Sequence, residues 1–468
     1  MYDVIVVGAR ISGSGVACLL ARAGYRVLLV DRARFPSATA SETNLIHPAG
    51  VAALRRLGVL DRLAGMNVPR ITRYGLRSGP VSLEAELPEV DGVGYALSPP
   101  RAELDHAMVL TAVEAGAELR EGTNVQELLR DDDGRVVGVA GSLKGGRTFT
   151  EKASLVIGAD GKNSRVAALV GAVSYRDHPV LGKSHWTYWE GLPQDSLVRT
   201  YRGSGVHPFT WPTHDGLSIV GVARPTAGFP SGAADEEIDR LVVDAFATVD
   251  PDLSARLRDT RRAGRWLTGA VPNFLRTSHG PGWALVGDAG ATRDPITASG
   301  ITFALRSAEL LAEQVDSALA GRVPQARALA AYGIRRDALL SDHHDYTRDY
   351  ARIAPHSPEE RALIEAMARS QRHARGMVGV FSTAVPPAEF YTRASFRDLF
   401  DYLNDDRRLP LSIRALRLLL DAAPGAPGAL VDRAVAARLG PMGRLLLSSP
   451  VPGRTDRTRP SRTHKEHR

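Results

Sequence analysis

Residues 3–13 of the chain read DVIVVGARISG, and this stretch decides the fold. Its run of valine and isoleucine predicts a buried strand, and the turn at Gly8 opens a pattern typical of a helix. A second apolar run, RVLLVD, ends at Asp31. The order strand, helix, strand predicts the first unit of a parallel α/β sheet.

The turn after the first strand has the spacing of a dinucleotide-binding fingerprint, with Arg10 in place of the central glycine. In that fingerprint Gly8 makes the tight turn and Gly13 lets the helix lie close to the strand, so that a pyrophosphate rests on exposed helix amides. Asp31 stands where a carboxylate accepts hydrogen bonds from an adenosine ribose. We expect Arg10 to turn outward and contribute charge to the ligand; the alternative is an arginine merely tolerated in the turn. The fingerprint alone allows NAD or FAD.

Two later segments repeat the pattern of a strand followed by glycine and aspartate. The run SLVI leads into GADG at residues 158–161, and WALV leads into GDAG at residues 287–290. Asp288 is placed to hold ribityl hydroxyls. The free amides of Gly300 and Ile301, at the start of a new helix, can face the flavin edge where negative charge accumulates on reduction. These segments favour FAD over NAD.

Together the three segments resemble the FAD-dependent monooxygenases of the aromatic-hydroxylase type, the group A flavoprotein monooxygenases, whose relatives include geranylgeranyl reductases and flavin halogenases. The similarity covers roughly residues 2–330. The resemblance implies FAD bound without a covalent link. By this resemblance the ADP half is held by Gly8, Gly13, Asp31 and Arg32, and the ribityl chain and isoalloxazine by Asp288, Gly300 and Ile301.

Three further positions take their roles from the resemblance alone. Arg101, which opens a helix in SPPRAELD, matches a family arginine that contacts FAD, and Val125 matches the position whose backbone meets the adenine. Asp160 lies in a motif associated with both FAD and NAD(P)H. One departure is Gly290, because the family often has histidine after its Gly-Asp-Ala.

The predicted fold class is α/β: a Rossmann-like FAD-binding domain of the glutathione-reductase type, an inserted β-sheet substrate domain and a helical C-terminal region. The FAD-binding domain is expected to be discontinuous, over residues 1–70, 96–174 and 270–325. The other predicted units are the β-rich substrate domain over 71–95 and 175–269, the helical region over 326–448 and a disordered basic tail over 449–468.

The resemblance implies an FAD-dependent enzyme, and we predict a monooxygenase. It would insert one oxygen atom from O₂ into a hydrophobic aromatic or polycyclic small molecule, through a flavin C4a-hydroperoxide, as a natural-product tailoring step. The oxygen chemistry belongs to the cofactor, so no catalytic side chain is assigned. The alternative is a reductase or dehydrogenase of the geranylgeranyl reductase type. Halogenation is disfavoured because halogenases use a lysine of the N-terminal region, whereas the first lysine here is Lys144.

The sequence defines the electron donor and the lining of the substrate pocket less closely than it defines the FAD site. No second complete nucleotide-binding fold is recognisable, so the donor is NADPH or NADH docking transiently, or reduced flavin from a partner reductase. For the wall of the substrate pocket we predict Trp189, Tyr201 and Trp211, from an aromatic-rich segment. Side chains alternate between the two faces of a strand, and the sequence leaves open which face lines the pocket.

The composition of the chain narrows its possible compartment, partners and bound metals. Cys18 is the only cysteine, which excludes an intrachain disulfide and favours a reducing cytoplasm. The net charge is +7, but the last 20 residues carry six Lys or Arg and two Asp or Glu, so we expect no nucleic-acid partner. We expect no leader and no transmembrane segment, a monomer or homodimer, and no metal. The His343-His344-Asp345 cluster is interpreted as a solvated helix face.

Overall fold

The computed structural model describes residues 1–37, 44–228, 232–403 and 439–448. Its strands in chain order are β1 Tyr2–Val7, β2 Val27–Asp31, β3 Arg73–Ser78, β4 Val81–Glu86, β5 Glu118–Glu121, β6 Thr123–Arg130, β7 Val136–Leu143, β8 Thr148–Gly158, β9 Ser174–His178, β10 Gly182–Trp189, β11 Leu197–Tyr201, β12 His207–Pro212, β13 Ser218–Pro225, β14 Leu267–Gly269, β15 Asn273–Arg276, β16 His279–Gly280, β17 Trp283–Leu285 and β18 Ala291–Thr292. Its α-helices are α1 Ile11–Arg22, α2 Pro48–Arg56, α3 Leu60–Leu63, α4 Arg101–Glu114, α5 Arg165–Leu169, α6 Asp235–Ala247, α7 Pro251–Asp259, α8 Gly300–Leu319, α9 Gln325–Tyr350, α10 Pro358–Ala368, α11 Gln371–Phe381, α12 Pro387–Phe390, α13 Arg393–Leu403 and α14 Gly440–Ser448.

The largest sheet contains the nucleotide turn. Strands β17, β8, β1, β2 and β5 lie side by side and parallel, with β1 between β8 and β2. Val7 pairs with both Val30 and Gly158, so the carboxyl ends of three strands lie level at one edge. In an open parallel sheet, that edge forms the ligand crevice. The predicted α/β class and its strand-helix-strand opening are confirmed.

Helices cover one face of this sheet, and α1 is central among them. It is buried along most of its length, because it packs between the sheet and α8. At Gly15 an added Cβ would stand 3.3 Å from the Cβ of Ala308, so the two helices approach closely. The opposite face is covered by the β6–β7 hairpin and α5, where Val139 and Val166 are fully buried.

A second sheet of seven strands has the order β14-β10-β13-β12-β11-β3-β4. Its neighbours are antiparallel except β11 and β3. One face, which includes Trp186 and Trp211, shares a core with α9, α10 and α11. The other face, which includes Trp189 and Tyr201, packs on α6 and α7. The two faces of this sheet therefore have different neighbours and different possible roles.

The division of the chain into domains stays a prediction. The third sheet, β18-β15-β9, joins strands from both sides of the predicted boundary near residue 270. The predicted basic tail, residues 449–468, lies outside the described residues, as do residues 404–438 of the predicted helical region. No helix in the described ranges combines the length and apolar content needed to cross a membrane.

Candidate functional site

A long cleft with a cavity volume of about 540 Å³ runs along the edge where β1, β2, β8 and β17 end. Ten of the residues predicted to bind FAD line it: Gly8, Arg10, Asp31, Arg32, Arg101, Val125, Asp160, Asp288, Gly300 and Ile301. They come from segments far apart in the chain, and the sheet brings them to one place. The eleventh, Gly13, lies behind the turn and sets the position of α1.

The tight turn between β1 and α1 depends on two glycines and one carboxylate. Gly8 has a φ of +103°, and a Cβ added at Gly13 would stand 1.8 Å from the carbonyl oxygen of Gly8. Asp31 accepts hydrogen bonds from the backbone amides of Ala9, at 2.7 Å, and Ala33, at 2.8 Å. This carboxylate therefore fixes the loop after β1 and the loop after β2, at one end of the cleft.

Arg10 turns toward α4, where it meets a buried carboxylate. Its Nη1 pairs with Asp105, whose side chain is fully buried, and the second oxygen of Asp105 accepts from Arg101 Nε at 3.0 Å. One carboxylate thus positions two arginines on the wall of the cleft. Sequence reasoning missed Asp105, although its position four residues after Arg101 on a helix indicates such a pair.

Asp160 has a local structural role in addition to its place on the cleft wall. Its carboxylate accepts from Ser164 Oγ at 2.5 Å and from the amides of Arg165, at 2.6 Å, and Val166, at 3.1 Å. These bonds hold the start of α5 against the end of β8. At Gly161 an added Cβ would meet no atom within 4 Å, so the cleft is open beside this loop.

The opposite end of the cleft is formed by Asp288 and the start of α8. Asp288 lines the cleft with an exposed side chain. The protein atoms that surround it raise its pKa, against the effect of Arg293 and two other cations. The first amides of a helix have no partner inside the helix and favour negative charge. An added Cβ at Gly300 would meet open space, and Gly300 and Ile301 both line the cleft at the start of α8.

Behind Asp288 lies a layer of buried polar groups that the sequence did not indicate. Burial lowers the pKa of Arg293 to about 10 and raises the pKa of Asp294 to about 7. The Arg293 guanidinium lies 3.9 Å from the ring centroid of Phe303. Burial also lowers the pKa of His47 to about 4 and of His343 to about 3, so both imidazoles are neutral near pH 7.

The interpretation of the histidine cluster as a solvated helix face is wrong. His343 is 6% exposed and His344 is fully buried. The reason is that this part of α9 faces α8, where the His343 ring lies 5.2 Å from the ring of Phe303. Asp345 alone of the three reaches solvent, and it pairs with Arg176 at 2.8 Å.

A narrow apolar pocket adjoins the Gly300 end of the cleft. Leu45, Pro295 and Ala298 line both spaces, and Phe209 and Trp211 stand on the far wall with their rings stacked at 5.2 Å. The predicted role of Trp211 as a wall residue therefore stays a proposal. Trp186, on the same face of the sheet, lines the cleft itself. It was missed because Trp189, from the other alternating set of side chains, was selected as the wall residue.

Trp189 and Tyr201 do not lie at this pocket, which corrects the sequence interpretation. They point from the opposite face of the sheet, where Trp189 donates to Thr260 at 2.9 Å and Tyr201 to Asp250 at 2.7 Å. Both pack on α6 and α7 in a separate core. The physical reason is the period of two along a strand, which places Trp186 and Trp189 on opposite faces.

The residues of the cleft fit FAD. The nucleotide turn leaves no room for side chains at Gly8 and Gly13, whereas Gly161 and Gly300 border open space. One continuous cleft is lined by Asp31 and by the helix start at Gly300. A pyrophosphate and a reduced flavin are both negatively charged, and these amides suit both.

Comparisons with known proteins agree with this site. The family described as FAD binding domain matches residues 1–203. The chain is 32% identical over 329 residues to a menaquinone reductase of Mycolicibacterium smegmatis, covering 67% of this chain and 76% of that protein. It is 27% identical over 333 residues to a squalene epoxidase of Schizosaccharomyces pombe, covering 67% of this chain and 69% of that protein.

Solved structures show the same fold at lower identity. The flavin-dependent brominase Bmp2 superposes with a TM-score of 0.71 at 18% identity, over 90% of this chain and 99% of that chain. The chain belongs to the FAD-binding-domain family of FAD-dependent oxidoreductases, which includes reductases, monooxygenases and halogenases.

Proposed function

We propose that this oxidoreductase is a monooxygenase that inserts one oxygen atom from O₂ into a flat, hydrophobic aromatic or polycyclic molecule. The observation that carries the proposal is the narrow, aromatic-walled pocket beside the Gly300 end of the cleft. Reaction of a reduced flavin with oxygen is productive for monooxygenation only where water is excluded. The pocket is small and mostly apolar, and it lies next to the position proposed for the flavin ring.

The aromatic lining of the pocket supports a flat, apolar substrate. Its cavity volume is about 20 Å³, which is space for about one water molecule. Tyr74, Phe209 and Trp211 provide aromatic surface, and burial raises the pKa of Tyr74 above its ordinary value, so the phenol stays neutral. Because this space is smaller than an aromatic ring, we propose that the substrate displaces side chains of the lining as it enters. Apolar rings gain most from contact with such a wall.

The cofactor, when bound, supplies the redox chemistry. The chain supplies binding and orientation: Asp31 fixes the adenosine loops, and Asp288 is proposed to hold the ribityl chain. The amides of Gly300 and Ile301 stabilise negative charge on the ring system. The described lining of the aromatic pocket contains no lysine, so halogenation is not proposed.

The second candidate function is reduction of a carbon–carbon double bond in a prenylated molecule. It is favoured by the 32% identity to a menaquinone reductase, since the same apolar wall also suits a prenyl chain. For either reaction we propose NADPH or NADH as the donor, or reduced flavin from a partner reductase. The substrate and O₂ complete the proposed set of partners.

Isotope labelling separates the two functions. The FAD-loaded protein is incubated under ¹⁸O₂ with NADPH, NADH or an added flavin reductase, together with naphthols and a menaquinone, and the products are analysed by mass spectrometry. Monooxygenation gives a product that carries one ¹⁸O atom and forms only when oxygen is present. A product that gains two hydrogens and also forms without oxygen supports the reductase and overturns the monooxygenase.

A further inference from the structure

A second cavity of about 610 Å³ lies away from the cofactor cleft, at the far ends of β11 and β13. Helix α6 and the connection between α9 and α10 close its sides. Its lining has no residue in common with the cleft or with the aromatic pocket. The proposed function uses none of this space, although its volume is that of a typical small-molecule site.

Three arginines and one carboxylate dominate the charge of this cavity. Arg202, Arg224 and Arg361 line it, and Asp244 is the acidic residue of the described lining. Burial lowers the pKa of His356, which also lines it, to about 3, so this imidazole adds no charge near pH 7. The lining therefore has a net positive charge, which favours an anionic ligand.

Arg202 is the deepest of the three cations. It is 4% exposed; its Nη2 donates to the carbonyl oxygen of Tyr350 at 3.0 Å, and its guanidinium lies 3.9 Å from the ring centroid of the same tyrosine. Its Nε and Nη1 have no hydrogen-bond partner within the described ranges. A buried guanidinium without a paired carboxylate is costly unless an anion satisfies it.

The nearest acid does not satisfy this requirement. Glu360 lies close enough to Arg202 to influence it, but no ion pair joins the two among the described residues, and burial raises the pKa of Glu360. The Glu360 carboxylate instead accepts from the amide of Ser357 at 2.8 Å, as part of the cap of α10. Among the described residues, no ion pair therefore neutralises the charge of Arg202, which lines the cavity.

The two outer arginines have most of their donor capacity left. Arg361 donates through Nη1 to the carbonyl oxygen of His356, and Arg224 forms no ion pair with any described carboxylate. The guanidinium group offers five N–H donors in a planar fork that matches carboxylate and phosphate oxygens. Val206, Leu241 and Val249 supply apolar lining in the same cavity.

We propose that this cavity is a second ligand site that binds an amphiphilic oxyanion. Its carboxylate or phosphate group lies among Arg202, Arg224 and Arg361, and its apolar body lies along the valines and Leu241 near α6. The ligand class is a phosphate monoester or carboxylate with a hydrophobic tail.

Isothermal titration calorimetry of the FAD-loaded protein with octyl phosphate, octanoate and inorganic phosphate tests the site. We expect octyl phosphate and octanoate to bind more tightly than inorganic phosphate, because their alkyl chains contact the apolar wall. Arg224→Ala and Arg361→Ala should each weaken octyl phosphate binding about tenfold or more, since each removes charged hydrogen bonds. A lower Kd for octyl phosphate than for octanoate identifies phosphate as the preferred head group, and the reverse identifies carboxylate.

Arg240→Ala provides the matched control, because Arg240 is an exposed residue on α6 outside the cavity. This variant should bind like the parent. Flavin absorbance and circular dichroism establish that each variant is folded, and Arg202 is left intact because it packs on Tyr350. Equal loss in Arg240→Ala, or no binding of any probe at millimolar concentration, would overturn the proposal.

Discussion

The guanidinium of Arg10 pairs with the carboxylate of Asp105, which lies 95 residues further along the chain and is fully buried. Arg10 occupies the position where the dinucleotide fingerprint has its central glycine. The pair draws the arginine side chain toward α4 and leaves the backbone of the turn free to approach a pyrophosphate. The departure from the fingerprint is therefore compensated by a partner in a separate helix.

Replacement of this partner should weaken FAD binding. In Asp105→Asn both Arg10 and Arg101 lose their counter-charge, and breaking a buried pair is costly. We expect the Kd for FAD to rise about tenfold, as measured by flavin fluorescence quenching during titration of the apoprotein. Glu103→Gln, at an exposed position of the same helix, should leave the Kd unchanged. Equal affinity in both variants would show that the pair has no part in cofactor binding.

The sequence predicted the fold because its signals are local. Valine-rich strands, the turn at Gly8 and the two later glycine–aspartate segments can each be identified from adjacent residues, and a parallel sheet brings their ends to one edge. The pair between Arg10 and Asp105 is different, because nothing near Arg10 in the sequence indicates which distant carboxylate it meets. Contacts of that kind appear only when the helices are packed.

The aromatic residues of the second sheet illustrate another limit. Alternation along β10 separates Trp186 from Trp189, but the pattern is the same whichever face lines the pocket. Both faces are buried here, one under α9 to α11 and the other under α6 and α7. Because both faces are buried, solvent exposure does not show which face lines the pocket. His343 was misjudged for a different reason, because the sequence of its own helix does not indicate that Phe303 of α8 packs against it.

A methyl group at Gly13 should disrupt the nucleotide turn. In Gly13→Ala the new Cβ would overlap the carbonyl oxygen of Gly8, so α1 has to move away from β1. We expect a loss of about 1–3 kcal/mol in the free energy of unfolding, measured by denaturant titration, together with poor FAD retention. Gly65→Ala is the control, since an added Cβ there meets no atom within 4 Å. A Gly13 variant as stable as the control would contradict the proposed role of this close approach.

The buried carboxyl of Asp294 should make stability depend on pH. Burial raises its pKa from 3.8 to about 7, so between these values the folded protein holds a proton that the unfolded chain has released. Stability due to this group therefore falls as the pH rises from about 4 to 7, by at most about 4 kcal/mol.

Asp294→Asn isolates this effect. The side-chain oxygen of asparagine can still accept from the amide of Ile296, as Asp294 does at 3.0 Å. The unfolding temperature of the parent, relative to the variant, should decline across that pH range. Asp132→Asn, in an exposed turn, should follow the parent at every pH. Parallel curves for the parent and Asp294→Asn would mean that the carboxyl does not titrate there.

Trp211→Phe should open the aromatic pocket to ring compounds. Phenylalanine is smaller than tryptophan, so the pocket gains space for an apolar probe. We expect the affinity of such a probe to rise about tenfold. The Kd of 2-naphthol, from changes in flavin absorbance, should therefore fall. Trp189→Phe changes the opposite face of the sheet and should leave that Kd unaltered. A stronger effect from the Trp189 variant would place the binding site elsewhere.

The cleft draws on segments that lie far apart in the chain, from the turn at Gly8 to Arg336 and Leu340 on α9. A nascent polypeptide that has left the ribosome as far as residue 203 contains the region matched by the family, yet it has neither Asp288 nor the start of α8. A complete cleft wall therefore exists only after α9 has been translated, and we expect tight FAD binding to begin at that stage.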